Sequence, residues 1–313
     1  MSGSVDIFSD KRRDIFIAGG GRAVPSYFGA SPPAANLGKV DSKGIEVELR
    51  LNKQINNLHL WSNLSYTHAS DKILVKDDGE LLPSYRKQAG YPIDQPRNYV
   101  DVGYINNWDE LYGSTPHDQS DNQRKPGDYI ILDYNGDGNI SNNDNIPYSF
   151  SAHPQNTYNA TLGADYKGWS LMVQFYGVNN VTRWINFSSL GGSRNTVYHE
   201  GSYWSPSNMN PDVPLPRWFS VASNYSQGTR FVFDGSYLRL KNLEIAYTFD
   251  KSRWLKTTGL KSLKLFVNGD NLWFYSKMPD DREANFTGAN ALSPSQGAYP
   301  TVKRVNFGLR VSL

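Results

Sequence analysis

The chain has 313 residues, a formal net charge of +2 and no cysteine. So small a net charge gives no electrostatic footprint for nucleic acid, and the lack of cysteine excludes disulfides and cysteine-based zinc sites. Apolar residues make up 38% of the chain and aromatic residues 13%. This composition argues against a helical protein rich in leucine and alanine, and it favours an all-β protein with wet surfaces or aromatic belts.

Membrane insertion is not excluded by hydropathy. No stretch of about 18 apolar residues occurs, so the sequence predicts no transmembrane helix. The segment 1–6 lacks the charged and apolar regions of a signal peptide. A membrane β-barrel escapes both criteria, because its strands are short and alternate in polarity. For a barrel, we expect the missing signal to mean that the N-terminal part of the protein is not in this chain.

Alternation of apolar and polar residues predicts eight strands. The clearest covers 45–52, where every odd position is apolar and every even position is charged or an amide. A weaker strand at 5–17 is interrupted at 10–12, and a change of parity near Asn242 predicts a bulge. The other strands are expected at 58–67, 157–166, 169–178, 231–249, 263–273 and 302–313.

The connections between these strands alternate in length. Short ones are expected at 55–57, 167–168 and 250–260, and long ones at 18–37, 71–155, 179–230 and 277–301. Outer-membrane barrels have tight periplasmic turns and long external loops, whereas loops beyond about 15 residues are uncommon in a soluble sandwich. Aromatic residues near both strand ends fit two interfacial girdles, although the β-propensity of aromatics also explains them: Tyr166, Trp169 and Phe249 at the short connections, and Tyr66, Tyr176 and Trp184 at the long ones.

Several segments also match a known set of motifs in the right order. They are 38–48, the run from Pro126 to Ile140, the strand 233–243, the segment 268–272, and Tyr299 with Pro300 before the last strand. Together they resemble the C-terminal barrel portion of the SusC/RagA-type TonB-dependent outer-membrane transporters. The resemblance covers nearly the whole chain.

The resemblance implies a partial antiparallel transmembrane β-barrel, the last eight strands of a barrel of about 22 strands. Residues 1–313 would then be the C-terminal part of the barrel, without the N-terminal plug and the early strands. The family imports glycans or peptides across the outer membrane, driven by TonB, which contacts the missing N-terminal part. It works with a SusD-like lipoprotein lid.

A calcium-type loop occurs within the second long connection. Oxygen-bearing side chains stand at the first, third, fifth and twelfth positions, with Gly138 at the sixth, where a sharp turn is needed. A turn rich in Asp and Asn that folds without metal explains the same pattern. The candidate Ca²⁺ ligands are Asp133, Asn135, Asp137, Asn139 and Asp144.

Aromatic residues of the long connections are candidates for stacking on sugars, because the face of a pyranose ring is apolar. Packing inside the connections is the other explanation for each of them. The candidates are Trp108, Tyr112, Trp184, Tyr203, Trp204 and Trp218.

The sequence predicts no enzyme, because no nucleophile elbow or Ser/His/Asp arrangement is evident. The histidines show no metal spacing. We keep two alternatives to the transporter fragment. One is a soluble secreted β-module that binds carbohydrate and calcium, and the other is a glycan-cleaving enzyme, which needs two carboxylates about 5 to 9.5 Å apart. The substrate is not identifiable from the sequence.

Overall fold

The computed structural model describes residues 1–119, 121–184, 204–209, 228–250, 259–278 and 302–312. Strands dominate this part of the chain, and none of its helices is long and apolar enough to cross a membrane. The α-helix α1 covers Trp108–Gly113. The strands are β1 (Ser2–Ile17), β2 (Ala35–Ile55), β3 (Leu58–Val75), β4 (Arg97–Tyr99), β5 (Asp101–Tyr104), β6 (Tyr129–Ile131), β7 (Asn145–Pro147), β8 (Asn156–Tyr166), β9 (Trp169–Asn179), β10 (Thr182–Trp184), β11 (Val232–Asp234), β12 (Tyr237–Phe249), β13 (Ser262–Ser276) and β14 (Arg304–Ser312).

Eight long strands form one antiparallel sheet in the order β1-β2-β3-β8-β9-β12-β13-β14. Each strand therefore pairs with the long strands that precede and follow it in the chain, as in an up-and-down meander. Each of the eight predicted strands contributes a strand to this sheet, although the first part of 231–249 lies outside it. The prediction of an all-β fold with a partial antiparallel barrel is confirmed.

One face of the sheet is apolar across all eight strands. The ladders align apolar positions of neighbouring strands, because period-2 alternation is kept in register from strand to strand. Five cross-strand pairs on this face are Val5 with Val47, Leu49 with Leu64, Leu162 with Val173, Leu171 with Ile245, and Val267 with Phe307.

The opposite face is polar, with a few aromatic rings that cover glycines. Gly163 pairs with Trp61 across the β3–β8 ladder, and a Cβ at Gly163 would lie 2.0 Å from an atom of the Trp61 ring. Phe266 covers Gly308 in the same way, with 2.3 Å to the nearest ring atom. A glycine is therefore required under each ring, and these pairs fix the register locally.

The predicted bulge is confirmed. Both ladders of β12 shift between Leu240 and Asn242, so that Lys241 is skipped. The predicted interruption at 10–12 is wrong, because β1 continues through these residues and pairs with β2. Its irregularity comes later, between Arg12 and Ile15, where Asp14 has a φ of 56°.

Two further expectations need correction. The run 231–249 is not one strand, since β11 pairs with β10 in a separate two-stranded sheet and β12 begins at Tyr237. Tyr176 does not belong to the girdle on the apolar face. It pairs with Arg239 and Asn159, and this register places it on the polar face.

The alternation of connection lengths holds for the long strands. β2–β3, β8–β9 and β12–β13 are joined by 56–57, 167–168 and 250–261, whereas 18–34, 76–155, 180–236 and 277–303 are long. In an antiparallel meander, all short connections lie at one edge of the sheet and all long ones at the other. The long connections are therefore gathered at one end, and the candidate site residues named from the sequence all lie within them.

Candidate functional site

The long connection 76–155 folds around a small core of its own. Tyr99, Ile131 and Ile140 pack together and are all buried. Tyr99 lies on β4, which pairs with β7, and Ile131 lies on β6, which pairs with β5. Ile140 forms an isolated bridge with His117. This connection is thus a structured cap on one end of the sheet.

A partly buried ion pair joins this cap to the long connection 180–236. We call the group Asp101, Tyr104, Tyr129, Thr229 and Arg230 the loop latch. The Asp101 carboxylate accepts hydrogen bonds from the Thr229 hydroxyl at 2.7 Å, the Arg230 backbone N–H at 2.8 Å and Arg230 Nε at 3.0 Å. Asp101 therefore bonds to two adjacent residues that lie far away in the sequence.

Two aromatic rings complete the latch. The Arg230 guanidinium lies 4.6 Å from the ring centroid of Tyr104 and 5.5 Å from that of Tyr129, and it donates to the Tyr104 hydroxyl at 2.9 Å. Burial opposes the charged form of Arg230, but the hydrogen bond to Asp101 and the nearby phenols outweigh it, and the pKa of the guanidinium is raised. Burial, reinforced by Tyr104, raises the pKa of the Tyr129 phenol. Charge is thus retained in the latch by direct partners.

The calcium-type loop forms a tight turn in which side-chain oxygens accept from backbone amides. Asp133 accepts from the N–H groups of Gly136 and Gly138, both at 2.8 Å. Gly138 has a φ of +81°, as the sharp turn requires. Asp137 accepts from the Asn139 N–H at 2.9 Å. Asp133 Oδ1 also accepts from the Asp137 N–H at 3.3 Å, so the lone pairs most open to a cation are on Asp133 Oδ2 and on the Asp137 carboxylate.

Asp144 has a structural role in this loop. Its carboxylate is fully buried and accepts from the N–H groups of Tyr134 and Ser141, both at 2.8 Å. With Ser141 it forms a capping box on a short 3-10 turn. Among the described residues, no group of three or more His, Cys, Asp or Glu side chains is arranged to hold a metal ion. The amide and backbone oxygens of the loop would have to supply the remaining ligands of a calcium ion.

Four of the six predicted sugar-stacking residues lie within the described part of the chain. Trp108 and Tyr112 are exposed on α1, with ring centroids 6.3 Å apart and planes at 30°. Trp204 is only 6% exposed and donates from Nε1 to Asn106 Oδ1 at 3.2 Å, so the structure favours a packing role for it. Trp184 is the last residue of β10. Tyr203 and Trp218 lie outside the described residues.

A comparison with known protein families agrees with the eight-stranded antiparallel sheet. The sequence model of the family described as "TonB dependent receptor-like, beta-barrel" matches residues 1–181, more than half of the 313 residues. The chain belongs to this TonB-dependent receptor β-barrel family. The family predicted from the sequence motifs is thereby confirmed.

Curated relatives of this TonB-dependent receptor chain come from Formosa agariphila. TonB-dependent receptor P3 is 27% identical over 98% of this chain and 32% of its own length. TonB-dependent receptor P26 is 26% identical over 92% of this chain and 31% of its own length. The chain thus spans about a third of the length of the curated relatives it matches.

Solved structures show the same fold. A chain of the RagAB peptide importer in its open-open state matches with a TM-score of 0.66 at 17% identity, over 99% of this chain and 32% of that one. The closed-closed state gives a TM-score of 0.65 at 17% identity, over 99% of this chain and 33% of that one. This likeness in fold agrees with the SusC/RagA-type resemblance of the motifs.

Sequence reasoning missed the loop latch of this family member. Asp101 and Arg230 stand 129 positions apart, and neither residue belongs to a short motif that indicates an ion pair. It also missed Arg239, which is 1% exposed and lies with its guanidinium 4.3 Å from the ring centroid of Phe274. In the sequence, Arg239 and Lys241 alternate with Leu238 and Leu240 and so look like an ordinary solvated strand face.

Proposed function

We propose that this chain forms part of the wall of an outer-membrane β-barrel, and that the complete protein is a TonB-dependent transporter that imports glycans or peptides. The carrying observation is the apolar face, to which all eight strands contribute. Ile7 on β1 and Phe307 on β14 are each 81% exposed on it. Soluble monomers rarely expose apolar patches beyond a few hundred Å², whereas a lipid-facing barrel wall requires one.

The polar face supports a water-filled or protein-filled interior. Cross-strand pairs on it are joined by hydrogen bonds, as from Lys264 to Glu244 at 2.8 Å and from Asn242 to Asp270 at 2.8 Å. Such pairs suit a surface that faces a polar lumen rather than hydrocarbon. With lipid on one face and the lumen on the other, the long connections lie at the extracellular mouth.

The partners follow from the family. We propose that residues 1–313 are the C-terminal part of the barrel and that an N-terminal plug contacts TonB. A SusD-like lipoprotein covers the mouth, where the cap 76–155 and the latched connection 180–236 would meet it. The name of the RagAB peptide importer, whose fold the chain shares, makes peptides as reasonable a cargo as glycans.

The exposed pair on α1 is the best candidate for ligand contact. Tyr112 is 82% exposed, and Trp108 beside it offers a second ring. Flat rings cover the apolar face of a sugar or pack against peptide side chains. Calcium bound at Asp133, Asn135 and Asp137 would stiffen the neighbouring turn of the same cap.

Membrane partition tests the proposed location. We expect the product of the gene that encodes this chain to sediment with outer membranes, to resist extraction with carbonate, and to dissolve only in detergent. A soluble secreted β-module, which is the alternative, would remain in the aqueous fraction. Recovery of the folded protein in water without detergent would overturn the barrel-wall proposal.

Uptake by cells tests the ligand contact. We expect the Trp108→Ala and Tyr112→Ala variants to lower uptake of the cognate glycan or peptide, each by about fivefold to tenfold if one stacked ring is lost. The matched control is Tyr27→Ala, since Tyr27 is 90% exposed in the connection 18–34. If the two α1 variants take up ligand as well as the control does, α1 is not a contact.

A further inference from the structure

The apolar face is not flat but contains a groove at its short-connection end. The groove has a volume of about 710 Å³ and crosses β9, β12, β13 and β14. Its walls are the side chains of Trp169, Ile245, Tyr247, Phe249, Leu265 and Phe307. Since Phe249 pairs with Leu263 and Phe307 with Val267, the groove extends over the five residues 263–267 of β13, which are four steps or roughly 13 Å.

An aromatic cluster borders the end of the groove nearest the short connections. Trp169 and Tyr247 meet edge to face at 4.9 Å between centroids, and Tyr247 and Phe249 do so at 4.6 Å. Toward the middle of the strands the lining is pure hydrocarbon, with Ile245, Leu265 and the Phe307 ring. This gradient, from amphipathic rings at the edge to hydrocarbon in the middle, matches one lipid from its glycerol region to its acyl chain.

Two lysines lie at this edge of the sheet, and Lys167 Nζ stands 5.3 Å from the ring centroid of Tyr166 on β8. Lys167 adopts a φ of 47°, an unfavourable conformation for a lysine, in the turn Lys167-Gly168. Gly168 O accepts from the Thr248 N–H at 2.8 Å, which holds the turn beside Tyr247. Exposed Lys261 precedes β13, two strands from β9, or about 10 Å by the interstrand spacing. Asp250 is exposed at the same edge and opposes them.

We propose that this groove binds one anionic phospholipid, with an acyl chain between the aromatic walls and the phosphate near Lys167 and Lys261. The inference rests on the proposed barrel-wall function, which places this face in lipid and the short connections at the periplasmic side. The positive charge of the two lysines decides for an anionic over a zwitterionic headgroup. A specific lipid here would fix the depth of the barrel in the inner leaflet.

Native mass spectrometry of the full gene product in dodecyl maltoside micelles tests the proposal, with phosphatidylglycerol and phosphatidylcholine as probes. We expect tighter binding of phosphatidylglycerol. The Lys167→Gln and Lys261→Gln variants should each weaken it by about fivefold and leave phosphatidylcholine binding unchanged. Asp250→Asn should strengthen phosphatidylglycerol binding. Ile245→Trp, which fills the groove, should abolish the preference, whereas Leu162→Trp, on the same face outside the groove, should not.

Equal binding of the two lipids, or equal retention of phosphatidylglycerol by the Ile245→Trp and Leu162→Trp variants, would overturn the lipid site. Dimers that Ile245→Trp disrupts and phosphatidylglycerol does not displace would assign the groove to a second copy of the chain instead. These failures differ from failure of the barrel-wall proposal. In that case the parent protein would stay folded in water and need no detergent.

Discussion

The loop latch should hold the cap 76–155 and the connection 180–236 together as one unit, and Asp101→Asn tests this. Asparagine keeps the shape of the side chain and one acceptor oxygen but removes the charge. The Asp101 side chain is 7% exposed and that of Arg230 is 26% exposed. A hydrogen bond to a charged partner contributes about 1.5 to 3 kcal/mol. Because Arg230 is partly solvated, we expect the lower part of that range, about 2 kcal/mol.

Amide hydrogen exchange measures this loss locally. A loss of about 2 kcal/mol in the free energy of opening corresponds to roughly 30-fold faster exchange of the β5 and β6 amides. The amides of β8 and β9, in the main sheet, should keep their rates. Asp109→Asn is the matched control, since Asp109 is exposed on α1 in the same connection. Equal exchange in the two variants would refute a stabilising latch.

A double-mutant cycle of Asp101→Asn with Arg230→Gln measures the ion pair. Glutamine removes the positive charge, as asparagine removes the negative one, so each substitution breaks the pair. If the ion pair joins the connections, the two substitutions should be coupled by more than about 0.5 kcal/mol. Additive effects would mean that the contact of Arg230 with the rings of Tyr104 and Tyr129, and not the ion pair, joins the connections.

Three further predictions concern pH, packing and calcium. Burial, with Arg124 nearby, lowers the pKa of His117 from 6.5 to about 4. Between these two pH values the unfolded cap binds a proton that the folded cap does not, so the free energy of unfolding of the cap should fall by about 3 kcal/mol as the pH drops from 6.5 to 4. The His117→Gln variant should lose this pH dependence, measured by amide exchange. Gly163→Ala should lower the stability of the sheet by about 1 to 3 kcal/mol, because the new Cβ meets the Trp61 ring. The loss should appear as a weaker heat-modifiable band on gels. Gly20→Ala, which has open space around it, should leave that band unchanged. Calcium should slow exchange in the turn at Asp133 with an affinity of about 0.1 to 1 mM; no change at 10 mM would count against the site.

The main sheet could be predicted from sequence because each strand encodes its own two faces. Strict alternation at 45–52 needs no information from elsewhere in the chain, and β2 and its neighbours kept that pattern in register. The bulge at Lys241 was visible for the same reason, since one extra residue reverses the parity of everything that follows. The length of a connection is likewise a local property.

The cap could not be predicted because its contacts join distant residues of no distinctive type. Asp101 and Arg230 are individually unremarkable charges, and only the fold brings them within 3.0 Å. The pairing of β10 with β11 could not be predicted for a similar reason. The segment 232–234 runs directly into β12 in the sequence, and the break at Gly235 that separates the two strands is one residue in a polar run. Trp204 shows why ligand-contacting residues are hard to predict. The sequence does not distinguish an aromatic ring that is buried in a long connection from one that is exposed there.

The outermost strands argue most directly for a wall that continues beyond this sheet. Soluble sheets protect their edge strands with charges, prolines or short length. Here β1 and β14 pair along one edge only within the described residues, and both are long. β14 presents Val305, Phe307, Leu309 and Val311 on the apolar face, and β1 presents Val5 and Ile7 there before its charged run 10–14. The Arg304, Asn306 and Arg310 side chains of β14 all belong to the polar face by register, so none of them interrupts its apolar band. Strands of this kind are suited to further pairing inside a membrane, where a closed barrel leaves no edge.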